Sequence, residues 1–345
     1  MDERPLIGIM VSNRRSRKRI LNLCLRYQNL NIKLYAFTPT DIQWNKKRII
    51  GLSLKKGKWT QSLFPFPHAV YNRCYNKKPI NIQHFEALIG KNKCFNTINF
   101  FNKWDLYNQL VQSNLEPYVP DTFLYNEVNI SELLNSYKLV YLKPIYGNKG
   151  ASVYRVEIME NEDIHISLHS LAPRYICRKN ESIQEKLDEL LGPTTYIVQQ
   201  GIPMCQLDHQ YFDVRVLVQK GITGEWAIST ITCRVAHKRY FNTSMCEHIY
   251  NVDEVLPRLF SQEKVNDILQ SLRDVSIKAA QEAEIHLSSL GELSVDFAID
   301  IESKLRIIEI NGMPQKSIYN DIKNFKYKKI IHCRPLEYAY YLSQS

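Results

Sequence analysis

At 345 residues, with 44% hydrophobic and 23% charged residues, the chain is long enough for two or three compact lobes and too apolar for disorder, which excludes a small stapled scaffold. Its 45 Lys and Arg against 35 Asp and Glu give a formal net charge of +10, a field that favours polyanionic or acidic ligands such as nucleotides. The eight cysteines are scattered without CxxC spacing, no signal peptide is readable at Met1–Ile9 and no apolar run is long enough to span a bilayer, so reduced thiols and a cytoplasmic place are expected.

In chain order, Leu6 to Val11 reads as a buried strand, a basic helical stretch leads to Leu25, and Ile32 to Phe37 reads as a second strand. That pattern opens an α/β lobe. Ile49–Leu54 and Trp59–Leu63 flank the lysine-rich turn around Gly57 and predict a hairpin with a basic tip. The segment from Lys91 to Pro120 is a link into a new unit, with helical spacing from Lys103 to Asn114. Strands are then predicted at Leu139–Leu142, Ala151–Ile158, Tyr196–Gln199, Val214–Val218 and Trp226–Val235, with an amphipathic helix at Glu181–Leu191. A long helix, Val265–His286, precedes two last strands, Leu293–Ile299 and Leu305–Ile310. No internal repeat or low-complexity tract interrupts this order.

The last two strands carry the most chemistry. Asp296, Glu309 and Asn311 place oxygen atoms inside apolar runs, and a carboxylate there needs a partner because leaving it unpaired costs several kcal/mol. Glu309 and Asn311, two apart, leave one face of their strand, where they suit a hard cation such as Mg2+. An ordinary solvent-facing antiparallel pair would carry the same residues. Lys143 ends a strand ahead of a turn with Gly147, Gly150 and Ser152, whose exposed backbone N–H groups suit phosphates; a plain glycine hairpin is the simpler reading of that stretch. Gln199 and Gln200 end an apolar strand and suit an adenine edge, though many strands end in amides. Arg215 and Arg234 sit within strand-like runs, where they either brace phosphoryl oxygens or pair with neighbouring carboxylates.

Taken together and in this order, these residues resemble the ATP-grasp superfamily, and most of all its YheC/YheD branch, described as endospore coat-associated. The resemblance rests on Val70-Tyr71-Asn72-Arg73, Asn102-Lys103-Trp104, Leu142-Lys143-Pro144, Asp213 through Lys220, Gly224-Glu225-Trp226 and Glu309-Ile310-Asn311, and runs from Ile7 to the Pro335–Ala339 end. It implies a mixed α/β (α+β) ATP-grasp fold: an N-terminal α/β lobe over residues 1–92, a linker helix and lid subdomain over 93–200, and a large subdomain with the Mg site over 201–345. It also implies that Lys103 and Lys143 contact nucleotide, that Gln199-Gln200-Gly201-Ile202 is the adenine hinge, and that Asp296, Glu309 and Asn311 hold two Mg2+ ions. Lys143, Arg215 and Arg234 would spread charge as ATP activates a carboxylate for attack by an amine of an amino acid or peptide. The sequence departs from the branch in its thin glycine loop and at Ser244-Met245-Cys246, and the stretch from Ser244 to Val255 is expected to help shape the acceptor pocket.

Two other readings exist. One is an ATP-binding structural or regulatory component of a spore. The other is a nucleic-acid binder, suggested by Arg14, Arg15, Arg17, Lys18 and Arg19; without interleaved aromatics in that cluster, nucleic acid is not an expected partner, and an acidic peptide docking there accounts for the same residues.

Overall fold

The computed structural model describes residues 3–75, 80–147, 150–287 and 289–344. Asn148 and Lys149 of the glycine turn lie outside the described residues.

The chain builds three sheets in sequence. The first contains β1 (Leu6–Val11), β2 (Lys33–Phe37), β3 (Ile42–Gln43), β4 (Arg48–Lys55), β5 (Lys58–Pro65), β6 (Ala69–Arg73) and β7 (Cys94–Phe95), in the order β3-β4-β2-β1-β6-β7 with β5 paired to β4. Strands β2, β1, β6 and β7 run parallel, and their apolar side chains are buried beneath α1 (Arg14–Tyr27) and α2 (Ile80–Ile89). Helix α1 begins where Asn13 accepts a bond from the Ser16 N–H, and its Ile20, Leu21 and Cys24 face the sheet. The expected hairpin is present as β4 and β5, paired from Lys55 and Lys58 at its tip to Arg48 and Pro65.

After α3 (Lys103–Val111) comes the second sheet, in the order β12-β11-β10-β9-β13-β8. Its strands are β8 (Thr122–Leu124), β9 (Leu139–Pro144), β10 (Tyr154–Ile158), β11 (Ile164–Leu168), β12 (Pro173–Cys177) and β13 (Tyr196–Gln200). Helices α4 (Ile130–Tyr137) and α5 (Ile183–Leu191) cover one face, burying Ile130, Leu134, Ile183 and Leu187 against Val140 and Leu142.

The third sheet is antiparallel, in the order β17-β16-β15-β18-β19 with β14 beside β15. It comprises β14 (Gln206–Leu207), β15 (Gln210–Lys220), β16 (Trp226–Ala236), β17 (Cys246–Asn251), β18 (Glu292–Ile299) and β19 (Leu305–Asn311). Its valine-rich face packs on α6 (Val252–Val255) and α7 (Gln262–Leu287), whose alanines at 279, 280 and 283 allow close approach. The other face carries Asp213, Arg215, Gln219 and Arg234 beside a smaller apolar cluster around Leu217 and Ile249. Helix α8 (Lys328–Gln344) returns to the first sheet, where Leu336, Ala339 and Leu342 join its core.

The basic cluster near the N-terminus is not wholly a docking face. Arg14 and Arg17 both bond Asp41, and Arg17 is buried, so these two cations neutralise an internal carboxylate. Arg15, Lys18 and Arg19 remain exposed.

Candidate functional site

Period-two alternation places Asp213, Arg215 and Gln219 on one face of β15, Arg234 on β16 across from Asp213, and Asp296 on β18 across from Arg215. Arg215 grips Asp296 with two parallel bonds, Nε to Oδ1 at 2.7 Å and Nη2 to Oδ2 at 2.6 Å. Arg234 grips Asp213 in the same way and also donates to Asp296 Oδ2 at 2.9 Å. Burial alone would raise the Asp296 carboxyl, but the two guanidinium groups hold it below the usual carboxylate range. The partner that the sequence demanded for Asp296 is therefore an arginine pair, not a metal alone.

Glu309 is the cross-strand neighbour of Asp296, and Asn311 follows two residues later with its amide nitrogen 3.4 Å from Asp296 Oδ2. Lys103, the first residue of α3, reaches Glu309 at 3.2 Å and the Gly147 carbonyl at 3.2 Å. Two carboxylates and an amide are hard oxygen donors, and this set fits magnesium. Among the described residues, Lys103 engages one oxygen of Glu309 and Asn311 bonds through its nitrogen, so the second Glu309 oxygen and the Asn311 amide oxygen are the donors such an ion would use. Among the described residues, Asp296 Oδ1 accepts one bond, from Arg215 Nε, which leaves it a lone pair for a cation.

From the second sheet, Lys143 points across toward the third, with Nζ 2.5 Å from Gln199 Oε1 and 3.4 Å from the Ile308 carbonyl. Burial pushes its ammonium down to about 8, against the pull of Glu309 and with the help of nearby Lys103. Gln199 in turn donates to Thr122 Oγ1 at 3.2 Å, which fixes its amide.

Between the two sheets lies a cleft of about 920 Å3 of open space whose walls include Lys103, Lys143, Gly147, Gly150, Gln199, Gln200, Ile202, Arg234 and Glu309. A second space of about 770 Å3 shares Lys103, Lys143 and Glu309 and extends to Asn311, Gly312 and Tyr75. Arg215, Asp296, Asn311 and Ser152, all singled out from sequence, do not line the first cleft: Arg215 and Asp296 are buried, Asn311 borders the second space, and Ser152 sits in the turn with a left-handed φ of 58° and its hydroxyl bonded to Tyr196. At the cleft wall Gly150 packs closely on Asn242, since a Cβ on Gly150 would lie 2.2 Å from the Asn242 amide nitrogen.

Sequence reasoning missed several wall residues. Asp213 was visible only as the neighbour of Arg215, and Met204, Ala298 and Ile308 are apolar residues with no signal beyond their spacing from Asp296 and Glu309. Thr243, which bonds Asp213 at 2.6 Å, lies immediately before the Ser244-Met245-Cys246 departure and carried no signal of its own. Of the stretch Ser244–Val255, Ser244 lines the cleft, while Cys246–Asn251 forms β17, Val252–Val255 forms α6, and residues 251–254 border a different cavity. Beyond Ser244 the chain is drawn away by pairing of β17 with β16.

Residues 91–342 match the family model for YheC/D-like ATP-grasp proteins. The chain belongs to that family. A curated YheC/D relative, the endospore coat-associated protein YheD of Bacillus subtilis strain 168, is 26% identical over 326 residues, covering 90% of this chain and 70% of that protein. Among solved structures, the ATP-grasp ligase PsnB complexed with a minimal precursor, Mg and ADP superposes with a TM-score of 0.58 at 14% identity, covering 98% of both chains. The D-Ala:D-Ser ligase VanG of Enterococcus faecalis gives 0.56 at 13% identity, over 98% of this chain and 100% of the other. A carboxyaminoimidazole ribonucleotide synthase of Aspergillus clavatus complexed with ATP gives 0.53 at 12% identity, over 92% and 72%. These likenesses establish that this YheC/D member has the ATP-grasp fold. Among its described residues, no helix is long and apolar enough to cross a membrane.

Proposed function

We propose that this protein is an ATP-dependent carboxylate–amine ligase that forms an amide bond on an amino acid or peptide through an acyl phosphate. The observation that carries this reading is the convergence of Lys103, Lys143, Arg234 and Glu309 on one cleft that ends at Gln199, Gln200 and Ile202, where β13 gives way to the next segment. ATP lies with its adenine edge against the backbone of Gln200 to Ile202 and its rings between Met204, Ala298 and Ile308. Lys103 and Lys143 hold its phosphates beside Gly147 and Gly150. Glu309, Asn311 and the open side of Asp296 would hold two magnesium ions, which would neutralise phosphate charge.

The substrate carboxylate attacks the terminal phosphorus and ADP leaves. The amine then attacks the acyl carbon, phosphate leaves, and the nitrogen gives up a proton. Arg234, braced by Asp213, faces the transferring oxygens, and Arg215 keeps Asp296 oriented behind it. No protein nucleophile is required, so catalysis rests on positioning and charge. The names of the fold neighbours PsnB and VanG, both ligases, support this class of reaction.

The name of the Bacillus relative, endospore coat-associated, favours a second reading: a spore-associated ATP-binding protein without turnover. Incubation with ATP, Mg2+ and mixed amino acids or peptides separates the two. Phosphate release that depends on an added acceptor is expected; nucleotide binding with no release under any acceptor would favour the second reading.

A further inference from the structure

A second charge cluster lies where the first sheet meets the third, and the chemistry above does not use it. Tyr71 and Arg73 leave one face of β6 and meet Glu292 at the start of β18. The Tyr71 hydroxyl donates to Glu292 and accepts from Arg73 Nη1 at 2.9 Å and Lys316 Nζ at 3.3 Å. Lys316 Nζ is 2.5 Å from Glu292 Oε2, and Gln219 Nε2 donates to the same oxygen at 2.8 Å. Glu292 is thus fully engaged. Arg73 has no carboxylate within ion-pairing distance among the described residues, and its guanidinium bonds only the tyrosine hydroxyl.

The cluster therefore holds two cations for one carboxylate. Its other titratable neighbours do not balance the excess: burial and the two cations keep His332 neutral, down to about 3, and burial pushes the Cys24 thiol up to about 11. A half-buried surplus cation calls for an anion from outside. Its place in the fold agrees. Strand β1 continues through α1 to β2 on one side, while β6 continues through α2 to β7 on the other, so Arg73 ends a strand at the crevice where open α/β sheets take ligands. Two residues on, Tyr75 lines the second cleft together with Asn311, Gly312 and Met313. Tyr319 adds an independent sign of a missing partner. It is 2% exposed, its hydroxyl has no hydrogen bond among the described residues, and its electrostatic neighbours Arg215, Asp296 and Glu292 place it between the two clusters.

We propose that Arg73, held by Tyr71 and backed by Lys316, anchors a substrate carboxylate other than the one that is activated. The substrates are then amino acids or peptides with a free acid group, not simple amines joined to monoacids. This deepens the ligase reading and rests on it for the meaning of "activated".

The test is a titration of the protein, saturated with Mg–ADP, with 13C-carboxyl-labelled propionate, using propionamide as the neutral control at constant ionic strength. Saturable propionate binding is expected in the wild type, weakened on the order of tenfold by Arg73→Gln and less by Arg73→Lys, because a charge-assisted fork is lost or reduced to a point charge. Mg–ADP affinity should be the same in all three. Absence of saturable binding in the wild type, or equal propionate affinity in Arg73→Gln, overturns the proposal. Should Arg73→Gln not fold, Arg73→Lys decides in the same way. Failure of Mg–ADP to bind would instead remove the ligase reading, and the titration repeated without nucleotide would still judge Arg73.

Discussion

Asp296 and Glu309 are cross-strand neighbours with opposite burdens. Asp296 is 2% exposed and neutralises two buried guanidinium groups, whereas Glu309 stands in the cleft beside Lys103. Asp296→Asn should therefore cost about 3–5 kcal/mol in urea unfolding, because Arg215 and Arg234 lose their shared counter-charge. Glu309→Gln should change stability by less than about 1 kcal/mol yet abolish Mg–ATP turnover. If the Gln variant consumed ATP at the parent rate, the metal assignment would be wrong. Lys143 gives a pH signature. Its ammonium is pushed down to about 8 from an ordinary 10.5, so between those values the unfolded chain binds more protons and the free protein gains stability as pH rises. Nucleotide phosphates need the charged form, so Mg–ADP affinity should fall above pH 8 by up to about tenfold per unit. Calorimetry from pH 6.5 to 9.5 checks this, and Lys143→Gln should bind weakly with no such fall.

At the scale of elements, the turn between β9 and β10 and the strand pair β18–β19 were the most legible parts of the chain. Glu309 and Asn311 share a face because strand side chains alternate, and that rule is local. The turn is tighter than its glycine content implies: Gly150 has φ 64° and rests on Asn242, and Ser152 adopts a left-handed φ without being glycine. A methyl group at Gly150 would collide with the Asn242 side chain and strain the backbone. Gly150→Ala should thus lift the turn, raising the Kd for Mg–ADP on the order of tenfold while the melting temperature, set by the three cores, moves little. A variant that kept parent affinity would show that the turn does not cover the nucleotide. Strands β11, β12 and β17 and helix α8 escaped the sequence reading. Their apolar residues are few or irregular, and α8 carries an internal proline, Pro335.

Over the whole molecule, three sheets are joined by buried charge as well as apolar packing. The Tyr71–Glu292–Lys316 group ties β6 to β18, and α8 runs from the third sheet back to the first, where Tyr338 meets the Phe95 ring at 5.0 Å. Removing the carboxylate leaves Lys316 buried without an anion beside Arg73. Glu292→Ala is accordingly expected to lower unfolding free energy by about 3–5 kcal/mol. Lys304→Ala, which breaks a fully exposed pair with Glu302, should leave it within experimental error. Equal effects of the two substitutions would mean that the Glu292 cluster does not hold the lobes together.

The sequence by itself determined the family, the mixed α/β class and most strands, and it named the candidate oxygen and nitrogen groups, because strand period, turn residues and motif order are local properties of a chain. Only the tertiary structure decided which of those groups face one another. Arg234 meets Asp213 across 21 positions and Asp296 across 62, and Tyr71 meets Glu292 across 221. Such pairings follow from strand register and sheet packing, which depend on every core residue at once, so neither the arginine partners of Asp296 nor the unbalanced Arg73 could be read from spacing.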